Sequence, residues 1–192
     1  TPELIETEAW GFGDEHRAQP LVVSITQSSE LGTVYTRDEI AAISDHAHSL
    51  GMVVHLDGAR LSNAAAALGC GFAEFTTDAG VDVLTLGGTK NGAMGAEAIV
   101  VLTPGAAPGL RFARKATMQL ASKMRFVSAQ LVALYETDLW LRNAAHANAM
   151  ATRLRAALEG VPGITFTTPT QANGVFARLP GGVADAVREH FF

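Results

Sequence analysis

The sequence contains a single cysteine, Cys70, so it cannot form an internal disulfide. No apolar run approaches the roughly 20 residues that a membrane span requires, so no membrane attachment is predicted. Basic residues are also scarce. The chain has 14 lysines and arginines and 19 aspartates and glutamates, which gives a net charge of -5. This charge disfavours nucleic acid as a partner. These properties together predict a cytoplasmic protein.

A metal site is not predicted either, because Cys70 has no second ligand at a zinc-binding spacing. Hydrophobic residues make up 48% of the chain and charged residues 17%, which is typical of globular proteins. A chain of 192 residues can bury one substantial core. The chain begins with Thr1 and ends with Phe191 and Phe192, so we expect sequence to be missing on both sides.

Short apolar runs alternate with helical patterns in the first hundred residues. Thr36 and Glu39 form a capping-box pattern at the start of a helix, which Gly51 can end. Apolar runs flank this helix, and such a βαβ unit has parallel strands and a right-handed crossover. The predicted strands lie at residues 21–25, 52–56, 81–86 and 97–102, and further short helices are predicted at 61–68 and 72–79.

From Leu110 onward the pattern changes to longer helices, followed by strands predicted at 164–167 and 175–179 and a final helix from Val183. We place a domain boundary near residues 126–136. Residues 1–130 would form a large α/β domain that lacks its N-terminal part, and residues 131–192 an incomplete, smaller α+β domain. One face of a helix in this region is predicted to hold Ala147, Met150, Leu154, Ala157 and Leu158.

Three polar residues follow successive predicted strands. Asp57 comes after the strand at 52–56, Arg60 lies slightly further on, and Lys90 follows the strand at 81–86. Open α/β sheets bind ligands at the carboxyl ends of their strands. A lysine and a carboxylate there suit pyridoxal phosphate, which needs an amine for covalent attachment and an acid at its ring nitrogen. Glycines around Lys90 would let the backbone approach the cofactor and then turn away; they are Gly87, Gly88, Gly92 and Gly95.

The same residues also have simpler interpretations. Asp57 with Gly58 is a common turn, Lys90 in a glycine-rich loop could be solvated, and Arg60 could lie on a helix surface. The residues alone therefore leave open a non-catalytic α/β module that binds a nucleotide or a protein. The chain has no Gly-x-Gly-x-x-Gly turn and no P-loop, which disfavours nucleotide binding.

Two stretches carry a more specific resemblance, VVHLDGARLSNA at 53–64 and LTLGGTKNGAMGAEAIVV at 84–101. They resemble the signature stretches of the low-specificity L-threonine aldolases in the β-eliminating lyase superfamily, which are fold-type-I pyridoxal-phosphate enzymes. Residues 13–36 and 121–154 are also similar, so the resemblance covers most of the chain. It implies a fold-type-I α/β domain with a mostly parallel sheet, bound pyridoxal 5'-phosphate, and a small amino-acid substrate. It also implies a homodimer or homotetramer with shared active sites.

The resemblance implies roles for five residues. Lys90 would form the Schiff base with the cofactor, and Asp57 would contact the pyridine nitrogen. Arg60 would lie near the cofactor's 3′ oxygen and orient the substrate carboxylate. His16 would remove the proton of the substrate's β-hydroxyl, and Arg125 would reach the cofactor phosphate of a neighbouring subunit.

The implied reaction is retro-aldol cleavage of threonine, allo-threonine and related β-hydroxy-α-amino acids to glycine and an aldehyde. The alternative is another lyase of the superfamily, which acts by β-elimination or on a bulkier substrate such as phenylserine. His16 favours the aldol reaction, because a hydroxyl must lose its proton. Family members also carry an N-terminal phosphate-binding turn and a C-terminal arginine without counterparts here. We therefore expect residues 1–192 alone to bind the cofactor weakly and to turn over little.

Overall fold

The computed structural model describes residues 1–191, which are built around a four-stranded sheet in the order β1-β2-β3-β4. Its strands β1, β2 and β3 are parallel, and β4 is antiparallel to β3. The predicted mostly parallel sheet is therefore confirmed, with small shifts of the strand ends. The strands are β1 (Val22–Thr26), β2 (Val53–Gly58), β3 (Val83–Gly87) and β4 (Glu97–Val101).

Seven α-helices occur in the described part of the chain. A separate antiparallel pair of short strands lies between the last two helices in sequence. No helix within residues 1–191 is both long enough and apolar enough to cross a membrane. The predicted division of the chain into two domains, residues 1–130 and 131–192, stays a prediction. The helices are α1 (Pro2–Glu8), α2 (Arg37–Ser49), α3 (Leu61–Leu68), α4 (Leu110–Ala116), α5 (Met124–Tyr135), α6 (Leu139–Leu158) and α7 (Val183–Phe191), and the short strands are β5 (Thr165–Phe166) and β6 (Ala177–Arg178).

Helix α2 begins and ends as its sequence predicts. Thr36 Oγ1 accepts a hydrogen bond from the Glu39 amide at 3.2 Å, and Glu39 Oε2 accepts one from the Thr36 amide at 2.7 Å. These bonds satisfy backbone amides that a helix start would otherwise leave free. Gly51 follows the helix with a φ of 72°, which favours glycine. The predicted β1–α2–β2 unit is confirmed.

The hydrophobic core lies on one face of the sheet. Val54, Leu56 and Gly58 of β2 are buried, whereas the alternate residues of this strand are only partly buried. Burying each large apolar side chain contributes about 1.5–3 kcal/mol to folding, so this face supplies much of the stability. The buried apolar residues that pack with β2 include Ile40, Ala47, Leu61, Ala64, Phe75 and Leu84.

The opposite face of the sheet carries polar and exposed residues. His55 lies at its centre, with Nδ1 2.8 Å from Ser24 Oγ and Nε2 2.8 Å from Thr85 Oγ1. The imidazole thereby links three neighbouring strands. Val22 and Ile99 on the outer strands of this face are 54% and 55% exposed. Asp57 lies on the same face, two residues after His55.

One prediction about the helices is wrong in detail. Residues 72–79 form two 3-10 turns, Ala73–Phe75 and Thr77–Ala79, and not one helix. The backbone leaves helical geometry at Thr76, where φ is -122° and ψ is -87°, and the Thr76 hydroxyl donates to the Phe72 carbonyl at 2.7 Å. Such a local side-chain bond competes with the helical pattern.

The face of α6 that is buried is not the one that holds its larger apolar residues. Met150 and Leu154, which were predicted to share one face of the helix, are 42% and 51% exposed, whereas Ala144 and Ala151 are buried. Small residues on this face let α6 approach α3 closely. The hydrophobic pattern within α6 does not reveal which face meets α3.

Asp82 joins helix α2 to the sheet. Its Oδ2 accepts a hydrogen bond from the Val54 amide at 2.8 Å and lies 2.8 Å from His48 Nε2. The Asp82 side chain is only 8% exposed. Burial raises the pKa of Asp82, but the hydrogen bonds from Val54 and His48 together outweigh it, so the pKa lies below its ordinary value. The carboxylate therefore stays charged at neutral pH.

Replacing Asp82 with asparagine should destabilise the protein by about 1–3 kcal/mol at neutral pH, because the Val54 amide and His48 lose a charged acceptor. Since folding lowers the pKa of Asp82, its contribution exists above the unfolded pKa and is lost as pH falls through the folded pKa. The gap in thermal midpoint between wild type and Asp82→Asn should therefore narrow below about pH 4. Asp78→Asn changes an exposed carboxylate and is the control. An equal loss from both variants would contradict this prediction.

Candidate active site

Asp57 lies at the carboxyl end of β2, paired with Thr26 of β1 and Thr85 of β3. Its Oδ1 accepts a hydrogen bond from the Ala59 amide at 2.9 Å. The carboxylate receives no other hydrogen bond within residues 1–191. Because Asp57 is only partly buried, its carboxylate can accept a further donor from a ligand.

Arg60 follows shortly after Asp57 and immediately precedes α3. Its Nη1 lies 3.4 Å from Oε1 of Glu30, a residue of the loop after β1. The Arg60 side chain is 26% exposed and that of Glu30 is 73% exposed, so water weakens this ion pair. The guanidinium can therefore exchange Glu30 for an anionic ligand. Glu30 was not among the predicted site residues.

Lys90 lies in a 3-10 turn, Thr89–Asn91, that follows β3. Its side chain is exposed, and it forms no hydrogen bond or ion pair with any other residue of the described chain. Strands β2 and β3 are parallel neighbours, so their carboxyl ends lie at the same edge of the sheet. The structure thus places Asp57, Arg60 and Lys90 at one edge, as predicted, while their chemical roles stay predictions.

The glycines before Lys90 are packed against the chain itself. A Cβ atom at Gly87 would lie 2.8 Å from Ala59 Cα, and one at Gly88 would lie 2.7 Å from the Ala96 carbonyl oxygen. Both positions therefore require glycine for contacts within the protein, whereas the sequence suggested an approach to a cofactor. Gly92 and Gly95 have φ values of 111° and 67°, which confirms the predicted turn.

Side chains of α5 and α6 hold the backbone on both sides of Lys90. Tyr135 Oη donates to the Gly87 carbonyl at 2.9 Å, and Asn143 Nδ2 donates to the Asn91 carbonyl at 2.8 Å. Asn91 is 6% exposed, and its Nδ2 donates to the Trp140 carbonyl at 2.9 Å. Sequence reasoning missed these residues, because nothing local in α5 or α6 indicates which backbone they contact.

His16 and Arg125 form no hydrogen bond or ion pair with this cluster in the described part of the chain. The His16 side chain, in the loop between α1 and β1, is 86% exposed, and its Nε2 is 3.8 Å from Glu15 Oε1. Within residues 1–191 it forms no hydrogen bond or ion pair with Asp57, Arg60 or Lys90. Arg125 is exposed at the start of α5, with its guanidinium carbon 4.8 Å from the centroid of the neighbouring Phe126 ring. The roles implied for both residues stay predictions.

Similarity to known proteins identifies the family. A family profile described as beta-eliminating lyase matches residues 4–180. The chain belongs to the beta-eliminating lyase family. This family member is 46% identical over 188 residues to the low specificity L-threonine aldolases of Pseudomonas sp. strain NCIMB 10558 and of Pseudomonas aeruginosa. Each alignment covers 98% of this chain and 54% of the relative, so the chain spans about half the length of the curated relatives it matches.

A solved structure shows the same fold. The threonine aldolase of Leishmania major superposes with a TM-score of 0.88 at 29% identity, covering 98% of this chain and 55% of the other. This likeness confirms the predicted fold class, a fold-type-I α/β domain with a mostly parallel sheet. The predicted resemblance to the threonine aldolases of the beta-eliminating lyases is confirmed as well.

The residues at the sheet edge fit pyridoxal phosphate, the cofactor that the resemblance implies. The Lys90 amine is free to react with an aldehyde carbon, and the Asp57 carboxylate has capacity to accept a hydrogen bond from a protonated ring nitrogen. Arg60 adds a positive charge for an anionic group. The grooves along α7 and between α1 and β1 contain none of these three residues.

Replacing Gly88 with alanine should destabilise the protein by about 1–3 kcal/mol, because the added carbon overlaps the Ala96 carbonyl oxygen. Gly71→Ala is the matched control, since its added carbon would meet only Glu74 Oε1, at 3.7 Å. Thermal denaturation of the full-length variants followed by circular dichroism measures the difference. A thermal midpoint as high for Gly88→Ala as for Gly71→Ala would show that the turn can shift freely.

Proposed function

We propose that the full-length protein is a cytoplasmic, pyridoxal-phosphate-dependent lyase. It would cleave L-threonine, allo-threonine and related β-hydroxy-α-amino acids to glycine and an aldehyde. The observation that carries this proposal is the placement of Asp57 and Lys90 at the ends of adjacent parallel strands, in a chain that belongs to the beta-eliminating lyases. The similarity to the low specificity L-threonine aldolases supports the choice of substrate class.

The cofactor, when bound, supplies an electron sink for the bond that breaks at the substrate's Cα atom. Lys90 contributes the amine that holds the cofactor covalently, and it must lose its proton before it can attack a carbonyl carbon. Asp57 keeps the ring nitrogen protonated by accepting its hydrogen bond. Arg60 binds the substrate carboxylate, in exchange for Glu30, and so fixes which bond at Cα is aligned for cleavage.

His16 is proposed to take the proton from the β-hydroxyl of the substrate. Its loop is braced by Gln19, whose Nε2 donates to the Gly11 carbonyl at 2.9 Å and to the Asp14 carbonyl at 3.0 Å. Gln19 Oε1 also accepts a hydrogen bond from the Gly13 amide at 2.7 Å. The imidazole is therefore exposed on an ordered loop, where it can accept a proton from a ligand.

A homodimer or homotetramer with shared active sites is part of the proposal. Every residue from 111 to 123 is exposed, and this segment with Arg125 carries five cations and no acid. Phe112 and Met118 are 65% and 88% exposed, which supports contact with another subunit because monomers rarely expose such residues together. Arg125, which follows this segment, is proposed to reach the cofactor phosphate of the neighbouring subunit.

Borohydride reduction of the full-length protein with pyridoxal phosphate should leave the cofactor attached to Lys90. The other two lysines of the chain, Lys115 and Lys123, should stay unmodified, so peptide mass mapping gives a clear assignment. Lys90→Ala should abolish the attachment and reduce threonine cleavage below detection, whereas Lys115→Arg should leave both unchanged. Recovery of Lys90 unmodified from the wild-type protein would refute the cofactor assignment.

Replacing His16 with asparagine should lower kcat for threonine by about 100-fold or more, since a positioned base contributes roughly that much. The attachment at Lys90 should persist, because His16 does not contact that residue. His146→Asn changes an exposed histidine of α6 and is the matched control. Equal kcat values for the two variants would refute the role proposed for His16.

Assays of the wild-type protein with threonine, allo-threonine and phenylserine then decide between aldol cleavage of small substrates and a preference for bulkier ones.

A further inference from the structure

The position of the Lys90 amine depends on its backbone turn. Within the described residues no side chain binds the Lys90 ammonium, so only the turn Thr89–Asn91 and the flexible side chain set where the amine lies. Covalent attachment of a ligand requires the amine within about 3–3.5 Å of the carbon it attacks. Whatever fixes this turn therefore affects how often the amine reaches that distance.

Two side chains fix the turn from opposite ends. Tyr135 Oη donates to the carbonyl of Gly87, before Lys90, at 2.9 Å. Asn143 Nδ2 donates to the carbonyl of Asn91, after Lys90, at 2.8 Å. Both donors come from helices, which are stiffer than loops, so they can serve as fixed supports.

We propose that Tyr135 and Asn143 are positioning residues that hold the Lys90 turn in the geometry required for covalent attachment of the cofactor. This inference rests on the proposed function. It assigns an indirect part in the chemistry to α5 and α6. Tyr135 and Asn143 contact the backbone beside Lys90 and not the reacting atoms.

Helix α6 connects the turn to the other residues at the sheet edge. Asn148 Nδ2 donates to the Asn63 carbonyl at 2.9 Å, and Asn63 Nδ2 donates to Asn148 Oδ1 at 3.0 Å. Asn63 lies in the first turn of α3, three residues after Arg60. One helix therefore sets the spacing between the segment that carries Lys90 and the segment that carries Arg60.

The Tyr135 hydroxyl is suited to act as a permanent donor. Burial raises the pKa of Tyr135, so the hydroxyl keeps its proton throughout the working pH range. Its ring packs edge-on against Phe72 with centroids 6.0 Å apart, and Phe72 also contacts Trp140 at 4.4 Å. This aromatic cluster restrains the tyrosine independently of its hydrogen bond.

Isosteric variants separate positioning from stability. Asn143→Asp keeps the size of the side chain but removes the donor, and Tyr135→Phe keeps the ring but removes the hydroxyl. Asn173→Asp is the matched control, because Asn173 forms no side-chain hydrogen bond within residues 1–191. Full-length apo-protein of each variant is mixed with pyridoxal phosphate, and borohydride stops the reaction at set times. Mass spectrometry then gives the rate of attachment at Lys90, and steady-state assays with threonine give kcat and KM.

Asn143→Asp and Tyr135→Phe should each slow attachment by on the order of tenfold, relative to Asn173→Asp. Their kcat should fall while KM stays unchanged, since neither residue touches the substrate. The double variant should lose less than the product of the single effects, because both bonds restrain one turn.

Attachment rates within about twofold of the control in folded variants would overturn the inference, even if the thermal midpoints fall. Should Asn143→Asp not fold, the rate for Tyr135→Phe alone decides. The result for the wild-type protein distinguishes a failure of the proposed function from a failure of the positioning inference. If it forms no adduct at Lys90, the proposed function fails and the inference fails with it. If it forms the adduct and the variants match its rate, only the inference fails.

Discussion

Parallel pairing of β2 with a neighbour on each side is the constraint on which the site depends. Because β1, β2 and β3 run in the same direction, their carboxyl ends, and the loops that follow them, meet at one edge. Glu30, Asp57 with Arg60, and the turn of Lys90 each follow one of these three strands. A reversal of any one strand would carry its residues to the far edge of the sheet.

Local signals predicted the parts of the fold whose determinants lie close together in sequence. The capping box of α2 and the αL glycine after it form within the helix's own neighbourhood, and both are present as expected. His48 shows the opposite case. Its helix position gives no sign that it binds Asp82, a residue 34 positions away that directly precedes β3. The alanine face of α6 escaped prediction for the same reason, since its partner is α3.

The same distinction separates the parts of the site. Asp57, Arg60 and Lys90 could be found because each lies at or shortly after the end of a predictable strand. Tyr135 and Asn143 could not, since they reach Gly87 and Asn91 from 48 and 52 positions away. Polar residues on helices give no periodic signal of a distant backbone carbonyl, so only tertiary structure reveals them. His16 and Arg125 came from family resemblance, and their loop and helix positions alone would not have marked them.

Close contacts at Gly87 and Gly88 leave no room there for a single additional carbon atom. A side chain at either position would overlap Ala59 or Ala96, so the two residues before Thr89 cannot be varied without a shift of the backbone. The pair formed by Arg60 and Glu30 is packed less tightly, because the Glu30 side chain is 73% exposed. For directed evolution, Glu30 is therefore a position that tolerates substitution, whereas Gly87 and Gly88 are not.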